Sequence, residues 1–142
     1  WADVDHDGDL DLLVGGRDTG GGRPNFLFRN DAGDQNRWLA VRLEGDGTAV
    51  NRDAIGARVT LRHEGGQIMR EKKSSRGMYN SESTRVLHFG LGDTSCDYSL
   101  QVRWPDGTEV SFGPTDFGEG QRLRLSYPDA IEVLSGAAPS SR

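Results

Sequence analysis

The sequence has a single cysteine, Cys96, among 142 residues. An internal disulfide is therefore excluded, and so is a zinc site built from clustered Cys and His ligands. Cys96 is left as a small buried hydrophobe, a free thiol or half of an intermolecular bridge. No apolar run approaches the roughly 18 residues of a membrane-spanning helix, so membrane insertion is not expected. Positive charge is also scarce: 17 Lys and Arg stand against 22 Asp and Glu, a formal net charge of −5. A nucleic-acid surface needs a basic patch to neutralise phosphates, so no nucleic-acid partner is expected. Aromatic residues make up only 8% of the chain, and no segment shows the 3.6-residue hydrophobic period of an amphipathic helix. There is no initiating Met and no signal sequence. The chain opens at Trp1, so it is expected to be part of a longer protein, with any strand leading into its first loop cut short or missing.

What the chain does have is a concentrated acidic motif. Asp3, Asp5, Asp7, Asp9 and Asp11 occupy alternate positions, with Gly8 among them. A hard cation such as Ca²⁺ takes six to eight oxygen ligands, and alternate carboxylates around a tight loop supply them. Gly8 permits the turn, because it tolerates backbone angles that a Cβ forbids. Without a cation the five carboxylates would repel one another. The expected ligands are the side chains of Asp3, Asp5, Asp7 and Asp11, with the backbone carbonyl of Asp9 closing the ring. Val4 and His6 lie between ligands and should point away, His6 as an exposed loop residue. The motif is not an EF-hand, which needs a bidentate Glu at position twelve and a helix behind it; counted from Asp3, that position is Val14. The apolar run Leu10–Val14 reads instead as a buried strand, paired in a hairpin with Pro24–Arg29 across a glycine-rich turn.

From Asn36 onward the chain alternates. Leu39, Val41 and Leu43 are set against Ala40, Arg42 and Glu44. Ala57, Val59 and Leu61 are set against Arg58, Thr60 and Arg62. Ile68 to Lys73 is a weaker strand, followed by Val86 to Leu91, then by Tyr98, Leu100, Val102 and Trp104, then by Thr108 to Phe112, and last by Leu123, Leu125 and Tyr127. A period of two means one face buried and one wet. About seven such strands in roughly 90 residues predict an all-β, antiparallel sandwich or barrel-like domain. Pro128 is expected to end the pattern and leave a flexible tail over 129–142.

Other candidates have plainer readings. Asn51 to Ala57 is expected to be a structured turn rather than a second ligand set, with Asp46 and Asp53 as reserve metal ligands. His88 falls on a strand face and is expected to be a hydrogen-bonded core histidine rather than a catalytic one; His63 should be exposed. Arg58, Arg62, Arg70, Lys72, Lys73 and Arg76 form a basic stretch expected on a solvated face. Ser74 to Gly77 lacks a nucleophile-elbow pattern, and no nucleophile is tied to a base by motif, so no enzymatic activity is expected.

Residues 1–14 resemble the FG-GAP (VCBS-like) repeat of integrin-type β-propellers, and Asn25 to Asn30 resembles the blade strand that follows. The pieces Asn36 to Leu43, Asn51 to Val59, Leu87 to Gly92 and Val102 to Gly107 resemble the ASPIC/UnbV domain. The resemblance implies a partial propeller blade with its calcium loop over 1–35 and a β-sandwich domain over 36–128. It also implies a noncatalytic, extracellular, cell-surface or secreted module for protein–protein adhesion or scaffolding. Two alternatives stand beside that expectation. One is self-assembly, with the incomplete blade completed by a strand from a neighbouring chain. The other is carbohydrate binding, for which Trp104, in phase with Leu100 and Val102, and Trp38, out of phase with its strand's apolar set, are the only tryptophans in the sandwich.

Overall fold

A computed structural model describes residues 1–16, 24–31, 36–75, 85–92 and 97–135. Cys96, Arg76 and the glycine-rich turn lie outside them. The described residues are all-β. Among them no helix is long and apolar enough to cross a membrane.

Two strands, β1 (Leu12–Val14) and β2 (Phe26–Phe28), form the expected hairpin, with Leu13 opposite Leu27, but β1 is not the buried strand expected, since Leu13 and Val14 are exposed. Eight more follow: β3 (Arg37–Glu44), β4 (Arg58–His63), β5 (Gly66–Glu71), β6 (Val86–Gly92), β7 (Ser99–Arg103), β8 (Glu109–Phe112), β9 (Gln121–Ser126) and β10 (Ala130–Ser135). They make two four-stranded sheets, ordered β10-β9-β3-β6 and β5-β4-β7-β8. Alternation decides which side chains enter the space between them. Leu39, Val41, Leu87, Phe89, Leu123 and Leu125 from the first sheet, and Val59, Leu61, Leu100 and Val102 from the second, are buried in one core. Each large aliphatic side chain so placed stabilises the fold by about 1.5–3 kcal/mol relative to exposure. Trp104 is in the core as its phase requires; its Nε1–H donates to the Pro128 carbonyl (2.9 Å), and its ring meets Tyr127 edge-on.

Three further expectations need correction. The sandwich is not wholly antiparallel: β3 runs parallel to β9, with Val41 opposite Leu123. Alternation fixes which face of a strand is apolar but says nothing of its neighbour's direction. The two sheets also stay separate, so there is no closed barrel. Finally, Pro128 does not end the fold. It sits in the turn after β9, and Ala130–Ser135 returns antiparallel as β10, with Ile131 opposite Leu125. Proline is compatible with such a turn, and Ile131 packs partly buried against the core. The tail expected over 129–142 is therefore a paired strand as far as Ser135, and residues beyond it lie outside the described set.

Asn51 to Ala57 is a turn, as expected. Asn51 accepts from the Ile55 N–H through Oδ1 (2.9 Å) and donates to the Ile55 carbonyl (3.0 Å). Asp46 Oδ1 accepts from the N–H groups of Thr48, Ala49 and Val50. These bonds hold the Asp46 carboxyl below its ordinary value, with Val50 the largest contributor.

Candidate metal centre

The aspartate loop is closed at its base by the pair Ala2 and Asp11, each donating its N–H to the other's carbonyl (3.2 and 2.9 Å). Within it, aspartates accept from backbone N–H groups a few residues on. Asp3 Oδ1 takes His6, Asp5 Oδ1 takes Asp7, and Asp7 Oδ1 takes Asp9. Such Asx interactions coil the chain tightly. His6 is exposed with φ of 71° and Gly8 has φ of 105°. The turn therefore uses two residues in the left-handed region, one of them carrying a side chain.

Coiling brings carboxylate oxygens of Asp3, Asp5 and Asp11 within 4.8 Å of one another. Ca²⁺ lies about 2.3–2.6 Å from its oxygens, so two ligands on one ion are separated by at most about 5 Å. Three hard, anionic oxygens on this spacing suit Ca²⁺, and each retains a lone pair beyond its hydrogen bonds. Of the other expected ligands, Asp7 is exposed and lies outside this trio, whereas the Asp9 side chain is buried. Asp11 is the best fixed. It is 1% exposed, and its two oxygens accept from Val4 N (2.8 Å) and Asn30 N (3.0 Å). The Val4 bond, then the Asn30 bond, keeps its carboxyl low against the upward push of burial, and Arg29 adds a smaller downward pull. Asp11 thereby ties the loop to the far end of the hairpin.

The loop does not stand free of the sandwich. Register places Arg122, Ala40 and His88 in one row across β9, β3 and β6, and the outward-facing Trp38 of β3 is near them. Arg122 Nη2 forms a short ion pair with Asp3 Oδ2. His88 Nε2–H donates to the Gly8 carbonyl (2.8 Å). The Trp38 indole lies against Gly8 so closely that a Cβ on Gly8 would be 1.8 Å from its Nε1. Arg122 also covers the Trp38 ring at 5.9 Å, and the His88 ring stacks at 6.3 Å. This contact explains why Ala40, on the nominally wet face, is only 2% exposed. It also gives Gly8 a second role: the turn requires its positive φ, and the indole requires its missing Cβ.

The sequence marked His88 as a hydrogen-bonded core histidine; it is hydrogen-bonded but half-buried on the outward face, and the sequence marked Trp38 as out of phase with its strand. It gave no sign that both serve the loop, nor that Arg122 and Arg29 face the aspartates. Arg29 reaches Asp5 at 3.6 Å while bound more tightly to Asp31. The only signal for the docking surface was an aromatic, a histidine and an arginine on wet strand positions. Register, unknown from sequence, is what aligns them.

Comparison with known proteins bears on the same chain. Residues 47–132, more than half of it, match the family model described as ASPIC and UnbV. That span runs past Pro128 into β10. Cartilage acidic protein 1 of Mus musculus and that of Homo sapiens are each 33% identical over 138 residues, covering 96% of this chain; the Xenopus tropicalis protein is 32% identical over 134 residues, covering 94%. The chain spans 20% of the length of these relatives. A crystal structure from Bacteroides uniformis, assigned provisionally to a cell adhesion protein, aligns over 70% of this chain and 48% of that one. Its identity is 13% and its TM-score 0.41, too slight a likeness to carry an argument. The family match rests on the sandwich and needs no such support: the chain belongs to the ASPIC and UnbV family.

Proposed function

We propose that this chain is a noncatalytic, calcium-stabilised extracellular module that mediates protein–protein adhesion or scaffolding. The observation that carries the reading is the Asp3, Asp5 and Asp11 trio, set in a loop clamped to the sandwich by Trp38, His88 and Arg122. Asp3, Asp5 and Asp11 would hold the ion, with Asp7 and the Asp9 carbonyl as further oxygen donors. Bound Ca²⁺ would supply positive charge at the centre of the loop and set the angle at which the hairpin leaves the sandwich. The resemblance of residues 1–30 to an FG-GAP repeat supports this role, as do family relatives named for cartilage. The abundance of calcium outside cells makes an extracellular setting the natural one.

The test is thermal. At free Ca²⁺ 100-fold above its dissociation constant the native state gains about 2.7 kcal/mol, a shift of roughly 5–10 °C for a chain of this size. EDTA should lower the melting temperature by that amount, and Asp11→Ala or Asp7→Ala should abolish or blunt the response. An identical melt with and without chelator overturns the proposal.

Self-association is a second reading with its own observation. The β1–β2 hairpin exposes Leu13 (64%), Phe26 (52%), Leu27 (56%) and Phe28 (56%). A two-stranded sheet whose edges pair with no further strand among the described residues, and which has an apolar surface, is a template for pairing with another chain. A strict monomer by light scattering, at high concentration with calcium, refutes it. The carbohydrate alternative loses its platform: among the described residues of the sandwich, Trp104 is buried and the Trp38 ring is covered by Gly8 and Arg122.

A further inference from the structure

The basic stretch expected on a solvated face departs from expectation at one residue. Arg58, Arg62, Arg70 and Lys73 are exposed, but Lys72 is only 3% exposed. Its N–H donates to the Ala57 carbonyl and its carbonyl accepts from Gly56, both at 2.8 Å. The turn between β3 and β4 is thus laced to the end of β5, and Lys72 is fixed in the wall of a cavity of about 260 Å³. Arg42, Leu43, Glu44 and Gly45 of β3 and its exit, Arg52 and Asp53 of the turn, and Arg85 ahead of β6 complete the wall.

Four of these side chains are cationic and two anionic. Glu44 is already neutralised, since Arg42 holds Oε1 at 3.1 Å and Arg124, from outside the cavity, approaches Oε2 at 3.5 Å. Among the described residues, neither Arg52 nor Arg85 makes an ion pair or hydrogen bond through its side chain. With Arg42 paired to Glu44 and Lys72 already engaged, Arg52 and Arg85 set against Asp53 leave the cavity net positive, in a chain whose net charge is −5. Guanidinium forks match the geometry of carboxylate, sulfate and phosphate oxygens bidentately. The volume lies just below the range of about 300–1,000 Å³ typical of small-molecule sites. It lies at the end of β3 opposite to Trp38, so the metal loop and the cavity sit at separate ends of one strand.

We propose that this cavity binds a small oxyanion, held by the guanidinium groups of Arg52 and Arg85. The ligand chemistry is that of a carboxylate, sulfate or phosphate group, and the site works independently of the calcium loop.

The experiment is an amide-resolved NMR titration of the full chain, stripped of divalent ions over a chelating resin beforehand, with sodium sulfate, sodium phosphate and glutarate in turn, at ionic strength held constant with chloride. Stripping the metal keeps the calcium reading out of the result without adding a competing polycarboxylate. Saturable shifts confined to Gly45, Arg52, Asp53 and Arg85 are expected, weakened at least tenfold in an Arg52→Gln/Arg85→Gln variant. Both arginines are exposed, so the variant should melt as the parent does. Tighter binding of glutarate would identify a carboxylate ligand, and tighter binding of the inorganic ions a free anion. Linear shifts matched by chloride, or unchanged affinity in the double variant, overturn the proposal.

Discussion

Replacing Gly8 by Ala tests the clamp between loop and sandwich most directly. The added Cβ would fall 1.8 Å from Nε1, 2.0 Å from Cε2 and 2.4 Å from Cδ1 of Trp38. The indole is rigid and is itself covered by Arg122, so it cannot yield by a small rotation. Forcing a methyl into such a contact costs about 1–3 kcal/mol. The φ of 105° adds strain for a residue with a Cβ, of order 1–3 kcal/mol. Together, about 2–6 kcal/mol opposes docking while the sandwich core is untouched. The loop should leave Trp38, whose fluorescence would shift to the red; buried Trp104 should keep its near-ultraviolet dichroism. Calcium affinity measured by calorimetry should fall, because the undocked loop no longer holds Asp3, Asp5 and Asp11 in fixed positions. A double-mutant cycle separates the two terms: in a Trp38→Ala background the clash disappears, and Gly8→Ala should cost only the strain. An unchanged emission spectrum and melt for Gly8→Ala, or an equal cost in both backgrounds, would refute the packing argument.

Acid should destabilise the fold in a narrow window. Thr108 N–H, then the Thr108 and Tyr127 hydroxyls, hold the Asp106 carboxyl below its ordinary value, as the 48–50 amides hold Asp46. Groups lowered in the native state contribute stability that is complete above the unfolded value of about 3.9 and lost as pH falls through the native one. Urea midpoints should stay level from pH 6 to about pH 4 and then decline, less steeply in Asp46→Ala; a decline already complete at pH 5 would contradict this. Should the hairpin drive self-association, Phe26→Ser with Phe28→Ser should lower the scattering mass in calcium without changing the melt of the sandwich. An unaltered mass distribution in that variant would remove the hairpin as the contact.

Much was legible before any coordinates. Period-two alternation marked Leu39, Val41, Val59, Leu61, Leu100, Val102, Leu123 and Leu125 as one apolar set, because each strand's inward face must be apolar wherever its partner lies. Spacing marked the aspartates, because local coiling needs only near neighbours, and Asn51 declared a turn for the same reason. Three things were illegible. The parallel pairing of β3 with β9 depends on which strands meet across some 80 residues of chain. The burial of Lys72 depends on a turn reaching it from another strand.

The most consequential of the three is the docking of the loop. Composition and spacing alone settled that the chain is a β-protein with an acidic loop suited to a hard cation. Only the assembled sheet decided that Trp38, His88 and Arg122 form the seat for that loop. Their alignment is a matter of strand register, and register is set by hydrogen bonds between segments far apart in the chain.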